Sequence, residues 1–156
     1  MSAVPTPSQD SVNQWLAQFA QAEGLADLQL DERGLIGLQV DSALEIEIEV
    51  PPDQGLLYLR AALLPIPLKD RELVYARLLE CNFLLQDSSG AAFAIDADRA
   101  QLALSLCQPI RRLDGLDFAN ILRSFIDISL LWQTQLTQEL QAARPQHGSD
   151  LLPFGS

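Results

Sequence analysis

The chain has 156 residues, of which 48% are hydrophobic, and it carries 21 acidic and ten basic residues for a formal net charge of −11. This length favours a single domain, and the hydrophobic fraction is high enough for a folded core. The acidic balance argues against nucleic acid and against an anionic membrane surface, because both require a basic surface on the protein. An acidic protein is instead attracted to basic or polar segments of another protein.

Neither the cysteines nor the apolar runs indicate secretion or membrane insertion. Cys81 and Cys107 are the only cysteines, and they lie in apolar stretches without a CxxC motif. Free cysteines of this kind usually pack as small hydrophobic residues in a reducing compartment. Residues 1–10 lack the basic and apolar regions of a signal peptide, and no apolar run approaches the ~18 residues of a membrane span. We therefore expect a soluble, cytoplasmic protein.

The first half of the chain predicts a helix followed by three strands. Apolar residues at helical spacing follow Ser8 and Ser11, either of which can cap the helix, and Gly24 ends it. Alternation over residues 36–40 predicts the first strand. Residues 56–64 predict the third strand, which a proline ends because it lacks the N–H that a ladder needs.

The clearest signal is the strict alternation of the second strand, over residues 44–50. A period of two places its aliphatic side chains on one face and three glutamates on the other. We expect the glutamates to form a solvated surface, and their mutual repulsion to discourage nonspecific pairing if the strand is exposed. The aliphatic residues are Leu44, Ile46, Ile48 and Val50, and the glutamates are Glu45, Glu47 and Glu49.

The second half predicts a helix, two strands and a last helix. Residues 70–86 carry apolar side chains on two faces, and such a helix must bury two sides. Short strands follow at residues 91–95 and 102–106, and a long amphipathic helix begins at Asp114. The two faces of the first of these helices are Val74, Leu78, Cys81 and Leu85 on one side and Tyr75, Leu79 and Phe83 on the other.

This order, α-β-β-β-α-β-β-α, predicts an α+β fold in which three helices pack on an antiparallel sheet of about five strands. We expect residues 1–8 to be a flexible arm and residues 9–142 to form a single domain. Residues 143–156 contain two prolines and two glycines, so we expect them to form a flexible tail.

The sequence shows no catalytic or metal-binding arrangement. His147 is the only histidine and falls in the expected tail, where no rigid element would hold it beside a nucleophile. Two distant cysteines cannot supply a zinc site, and Asp96 with Asp98 lacks the spacing and closing glutamate of a calcium loop. No glycine-rich phosphate-binding motif occurs. We expect no enzyme activity, no cofactor and no metal, and therefore a binding protein.

Three short stretches, the last helix and the order of the elements together resemble one known family. The stretches look like a first strand with its turn, a central helix, and the short strand that follows a loop of small residues. They are LQLDERG at 28–34, LLECNF at 78–83 and AFAID at 92–96, with Leu113, Asp114, Phe125 and Trp132 in the last helix. The likeness is to the class I type III secretion chaperones, the Tir-chaperone (CesT/SycE-like) family, and it covers residues 9–140.

This resemblance implies a bacterial cytoplasmic homodimer without ATPase activity that binds the N-terminal segment of a type III secretion effector. The segment would wind around the dimer in an extended form, held by apolar pockets and β-strand addition, and so stay soluble and secretion-competent. We expect neither nucleic acid nor membrane insertion. The residues expected to contact the effector are Trp15, Leu16, Leu35, Ile36 and Leu38.

The two-faced helix also indicates a dimer, with one face on the sheet and the other on the same helix of a second copy. For that interface we select Val74, Leu78, Cys81 and Leu85. The alternative is a helix packed between its own sheet and the last helix of the same chain.

Two other functions remain open from the sequence. An adaptor or regulator of the same fold would bind a folded secretion-system or signalling partner rather than an extended segment. An enzyme with an unrecognised site would show a cleft in which polar side chains with shifted pKa values converge.

Overall fold

The computed structural model describes residues 4–85 and 88–142. Three helices and a five-stranded sheet occur in the predicted order, which confirms the α+β class. The helices are α1 (Pro7–Glu23), α2 (Arg71–Cys81) and α3 (Gly115–Ala142). The strands are β1 (Leu35–Val40), β2 (Leu44–Glu49), β3 (Leu56–Pro65), β4 (Ala92–Asp96) and β5 (Gln101–Pro109), and short 3₁₀ turns lie at Phe83–Leu85 and Ile110–Arg112.

The sheet is antiparallel throughout, with the strand order β1-β2-β3-β5-β4. Strands β1 and β4 are therefore its two edges. Strand β1 pairs with β2 without interruption, from Leu35 opposite Glu49 to Val40 opposite Leu44. The register between β3 and β5 shifts once, between Ala62 and Leu64. That irregularity is fixed by α3, because Gln133 Nε2 donates hydrogen bonds to the carbonyl oxygens of Leu63 (3.0 Å) and Ala43 (2.8 Å).

Helix α1 begins earlier than the sequence suggested. Thr6, not Ser8 or Ser11, caps it through a capping box with Gln9, in which the Thr6 N–H donates to Gln9 Oε1 at 2.9 Å and the Gln9 N–H donates to Thr6 Oγ1 at 3.4 Å. This box stabilises the first turn by satisfying two N–H groups that have no partner within the helix. Part of the expected arm at 1–8 is therefore helical.

Two further segments differ from the sequence interpretation. Residues 28–30, which resemble a first strand, are not part of the sheet, because the Leu30 N–H donates to Asn13 Oδ1 of α1 at 2.9 Å. The helix predicted over 70–86 ends at Cys81, where the Asn82 side chain bonds to both backbone groups of Phe93 at 2.7 and 3.0 Å. The expected tail at 143–156, including His147, lies outside the described residues.

The core lies between one face of the sheet and helices α1 and α3, and α2 packs beside it on β4. Aromatic side chains join the layers: Trp15 of α1 lies 5.8 Å from Phe118 of α3, and Phe93 of β4 meets Trp132 of α3 edge-on at 4.8 Å. Each fully buried large apolar side chain contributes roughly 1.5–3 kcal/mol. The largest are Leu16, Leu44, Ile46, Ile48, Leu57, Leu59, Leu63, Leu102, Leu104, Phe118, Leu122 and Leu136.

Gly34 sets the entry into β1. Its φ of +80° suits glycine, and a Cβ at this position would collide with the Val50 carbonyl oxygen and the Gln9 side chain. Gln9 itself is buried and donates to the same Val50 oxygen at 3.0 Å. The first turn of α1, the start of β1 and the end of β2 thus meet at a point where only glycine fits.

We predict that Gly34→Ala lowers the free energy of unfolding by at least about 1 kcal/mol more than Gly55→Ala. Gly55 is the matched control, because it also has a positive φ (+64°) but a Cβ added there would meet no atom within 4 Å, so its cost is backbone strain alone. Urea unfolding of both variants measures the difference. Equal midpoints would contradict the steric role of Gly34.

Candidate partner-binding surfaces

Helix α2 has one buried and one exposed apolar side. Val74, Leu78 and Cys81 are 8%, 4% and 1% exposed and belong to the chain's own core, and Leu85, beyond the helix, is 36% exposed. The residues selected for a dimer interface therefore lie mostly on the side that packs against β4. Both interpretations of this helix place one side on the sheet, and Val74, Leu78 and Cys81 form that side.

The opposite side of α2 carries an apolar stripe at helical spacing. It consists of Leu73, Ala76, Leu79 and Phe83, and we call it the α2 stripe. Leu73, Leu79 and Phe83 are 72%, 69% and 77% exposed. Exposed large apolar side chains at regular spacing, rather than scattered singly, are typical of a surface that another protein covers. Of the second apolar side that the sequence predicted, Leu79 and Phe83 belong to this stripe, whereas Tyr75 is partly buried against the core. Periodicity alone could not tell which side the chain itself buries.

Arg77 fixes the orientation of α2. Its guanidinium lies 5.8 Å from the centre of the Trp132 ring and donates to Glu139 of α3 at 3.3 and 3.4 Å and to Cys81 Sγ at 3.1 Å. The hydrogen bonds to Glu139 raise the pKa of Arg77, so the group stays charged. Together with the Asn82–Phe93 bonds, these contacts hold α2 on β4 and α3 with its apolar stripe directed outward.

The β1 edge is a second surface that none of the described elements covers. Ile36, Leu38 and Val40 lie on the core side of the sheet, opposite Ile48, Ile46 and Leu44, but they are only half-buried. Their partners on β2 are fully buried. The core therefore continues to the edge strand without being closed there, and an apolar partner side chain could extend it.

The backbone of β1 also has unpaired groups along this edge. The Val50 N–H donates to the Gly34 oxygen at 2.8 Å, so in the alternation of an antiparallel ladder Ile36 and Leu38 point their backbone groups at β2. The groups of Leu35, Gly37 and Gln39 then point away from β2. Asp31 satisfies both outward groups of Leu35. The Leu35 N–H donates to Asp31 Oδ1 at 2.9 Å, and the Asp31 N–H donates to the Leu35 oxygen at 2.8 Å. Within residues 4–85 and 88–142, nothing bonds to the outward backbone groups of Gly37 and Gln39.

The residues selected for effector contact are thus divided by the structure. Ile36 and Leu38 lie together on the β1 edge, whereas Leu35 lies on the opposite face of the sheet, beside Glu49. Trp15 is half-buried against Phe118, and Leu16 is completely buried in the core. Sequence reasoning missed Gly37 and Gln39, whose open backbone groups become visible only when the strand order is known.

The glutamate face of β2 is not simply solvated as expected. Glu45 is exposed and Glu49 is half-buried, but Glu47 is 7% exposed. Its carboxylate accepts from Arg99 at 2.6 Å and from Arg60 at 2.5 and 3.0 Å. Hydrogen bonding to Arg99, with that to Arg60, outweighs burial and lowers the pKa of Glu47. Arg60 stands opposite Glu47 on β3, and Arg99 reaches it from the β4–β5 turn, a contact that no local pattern predicts.

Neither a metal site nor a membrane-spanning helix occurs in the part of the chain that the structure describes. None of its histidine, cysteine, aspartate and glutamate side chains form a group of three that could hold a metal ion. None of its helices is long and apolar enough to cross a bilayer.

We predict that Glu47→Gln lowers the free energy of unfolding by about 1 to 2 kcal/mol at pH 7, because two charge-assisted contacts are lost from a buried group. The pKa of Glu47 is lowered on folding, so its contribution is present above its usual value of 4.5 and is lost as pH falls through the lower folded value. The gap between wild type and variant should therefore shrink as pH falls below 4.5, and close once pH is below the lowered pKa of folded Glu47.

Glu45→Gln on the same strand is the control, because the exposed Glu45 should change stability by less than about 0.5 kcal/mol. Unfolding curves at several pH values give both numbers. A gap for Glu47→Gln that stays constant down to pH 2 would contradict the ion-pair account.

Known proteins resemble this chain in sequence pattern and in fold. Residues 14–142 match the model of the Tir chaperone protein (CesT) family. No curated protein sequence matches significantly. The crystal structure of the ExsC–ExsE complex gives a TM-score of 0.71 at 23% identity, over 81% of this chain and 93% of that one.

Two further solved structures are similar. That of the HopA1–SchA chaperone–effector complex gives a TM-score of 0.66 at 17% identity, over 85% of this chain and 97% of that one. The structure of the ExoU–SpcU heterodimer from the type III secretion system of Pseudomonas aeruginosa gives a TM-score of 0.57 at 21% identity, over 80% of this chain and 93% of that one. At these identities the likeness is one of fold.

Proposed function

Because the chain belongs to the Tir chaperone protein (CesT) family, we propose that it is a bacterial cytoplasmic homodimer that binds the N-terminal segment of a type III secretion effector. Binding keeps the effector soluble and secretion-competent without ATP. The family is a non-enzymatic class of secretion chaperones. The observation that carries the proposal is the open β1 edge, where half-buried apolar side chains lie beside unpaired backbone groups.

An extended client segment fits this edge for a physical reason. A strand added beside β1 would satisfy the outward groups of Gly37 and Gln39, and every second side chain would reach the half-buried residues Ile36 and Leu38. Such a segment gives up no structure of its own when it binds. A folded client surface would have to present an equally unpaired strand.

The α2 stripe supports the homodimer. It lies on α2, which packs on β4 at the end of the sheet opposite β1, so a second copy there leaves the β1 edges of both chains accessible. The proposed interface is therefore the α2 stripe rather than the side formed by Val74, Leu78 and Cys81. Ile95 of β4, at the same end of the sheet, is also 45% exposed.

We predict that the double substitution Leu79→Glu and Phe83→Glu converts the dimer into a folded monomer. Both side chains are more than two-thirds exposed in a single chain, so the change should spare the core but place charges in the interface. Light scattering coupled to size exclusion reports the mass, and circular dichroism reports the fold. Leu131→Glu, on an exposed position of α3, is the control and should stay dimeric. A double variant that remains a dimer would place the interface elsewhere.

We predict that Gln39→Pro abolishes client capture without unfolding the protein. Proline removes an N–H that points away from β2, so the β1–β2 ladder keeps its bonds while the edge loses a donor. Gln39→Ala, which also loses the side-chain bond to the Leu44 oxygen, is the matched control and should still capture the client.

The experiment is an affinity purification of each tagged variant from the native host, followed by mass spectrometry and limited proteolysis. Wild type and Gln39→Ala should retain one effector, with only its N-terminal segment protected, at two chaperone chains per client. Capture of a folded partner alone would favour an adaptor. If Gln39→Pro captures as much client as wild type, the β1 edge is not the binding site.

A further inference from the structure

Gly37 occupies the middle of an exposed edge strand, where glycine is costly. We propose, resting on the client binding proposed above, that Gly37 forms a notch that admits one long basic side chain, arginine or lysine, of the client segment that pairs with β1. The notch is bounded by Leu35 and Gln39, the neighbours of Gly37 on the same face of the strand, and by Glu47 of β2 opposite.

No feature of the fold itself requires a glycine at this position. The β1–β2 register runs without a bulge, the backbone of Gly37 is not left-handed, and a Cβ there would meet no atom within 4 Å. Gly34, by contrast, is held by both its φ and its surroundings. Glycine inside a strand weakens it, and where no bulge or bend explains it, glycine marks a place that another chain approaches closely.

The open backbone of the edge coincides with this glycine. Asp31 already bonds to the outward groups of Leu35, so the first unpaired position along β1 is Gly37, followed by Gln39. A client strand that pairs here therefore places one residue directly opposite Gly37. The side chain of that residue projects to the same face as Gly37, the face of the glutamates.

The charges around the notch favour a basic occupant. The Glu47 carboxylate is already bound to Arg60 and Arg99, but Glu45 and Glu49 lie two residues away on either side of it along β2. Glu45 is exposed, and Glu49 is 3.7 Å from Arg60. The six charged groups of this face, Glu45, Glu47, Glu49, Asp96, Arg60 and Arg99, carry two more negative than positive charges, and the whole chain carries a net charge of −11.

The distances suit a long side chain. Two strand spacings, about 10 Å, separate an added strand from β2. Because Gly37 has no side chain, the path across β1 is open between Leu35 and Gln39, whose partners on β2 are Glu49 and Glu45. The residues before and after the basic one would face Ile36 and Leu38 on the apolar side. The recognised pattern is therefore apolar, basic, apolar along an extended segment.

A displayed library of short random peptides tests this, with selection on wild-type protein. Selected peptides should share an arginine or lysine flanked by apolar residues at alternate positions. Replacing that residue with glutamine in the best peptide should weaken its Kd by about tenfold or more, the equivalent of one lost charge-assisted contact. Absence of such peptides, or no enrichment of basic residues, overturns the notch.

Gly37→Val supplies the second readout. It should raise Tm by about 2 °C, because valine suits a strand better than glycine, while it weakens the Kd of the basic peptide by about tenfold. Gly37→Ala should have a Tm and a peptide Kd between those of wild type and Gly37→Val. A stabilised Gly37→Val that binds the peptide as tightly as wild type contradicts the proposal.

The two proposals fail in different ways. If Gln39→Pro stops client capture but Gly37→Val does not weaken peptide binding, strand addition at β1 stands and the proposal that Gly37 admits a basic side chain is wrong. If Gln39→Pro leaves both client and peptide binding unchanged, the edge itself is not the binding site and the proposed function loses its main support.

Discussion

An antiparallel sheet that does not close has two edge strands whose outward backbone groups need hydrogen-bond partners. In this chain the two edges differ in what supplies those partners. At β4, helix α2 packs beside the sheet, Arg77 bonds this helix to α3, and the Asn82 side chain bonds to both backbone groups of Phe93. At β1 the described residues supply Asp31 alone, which bonds to both outward backbone groups of Leu35 and leaves those of Gly37 and Gln39 unpaired. Unpaired edges invite nonspecific pairing, so one left open in a folded protein indicates a specific partner.

Glu47, opposite Gly37 on β2, ties the strand next to the open edge to the rest of the sheet. Arg60 of β3 and Arg99 of the β4–β5 turn bind its carboxylate on the glutamate face, which none of the described helices covers. On the opposite face, α3 packs over β2 and β3 and fastens the β1–β2 turn through Gln133. The edge strand is thereby held in a fixed register by its neighbours while its own outer side stays accessible.

Local patterns in the sequence were enough to predict the class, the element order and the side of α2 formed by Val74, Leu78 and Cys81. Period-two alternation in β2 predicted its strand and its faces, because that signal needs only consecutive residues. The sequence could not tell which side of α2 the chain buries, or that Leu16 is internal, because both depend on packing between distant elements. The burial of Glu47 depends on Arg99, 52 residues away. The role proposed for Gly37 depends on β1 being an edge strand, which only the strand order reveals.

We propose that an extended client segment pairs with β1. Amide hydrogen exchange of the client complex from the native host, resolved to single residues, tests it most directly. The Gly37 and Gln39 amides should exchange fast in the free protein and become strongly protected in the complex, while the Ile36 and Leu38 amides, already bonded to β2, should change little. Bound client with Gly37 and Gln39 still exchanging at their free rates would contradict the account.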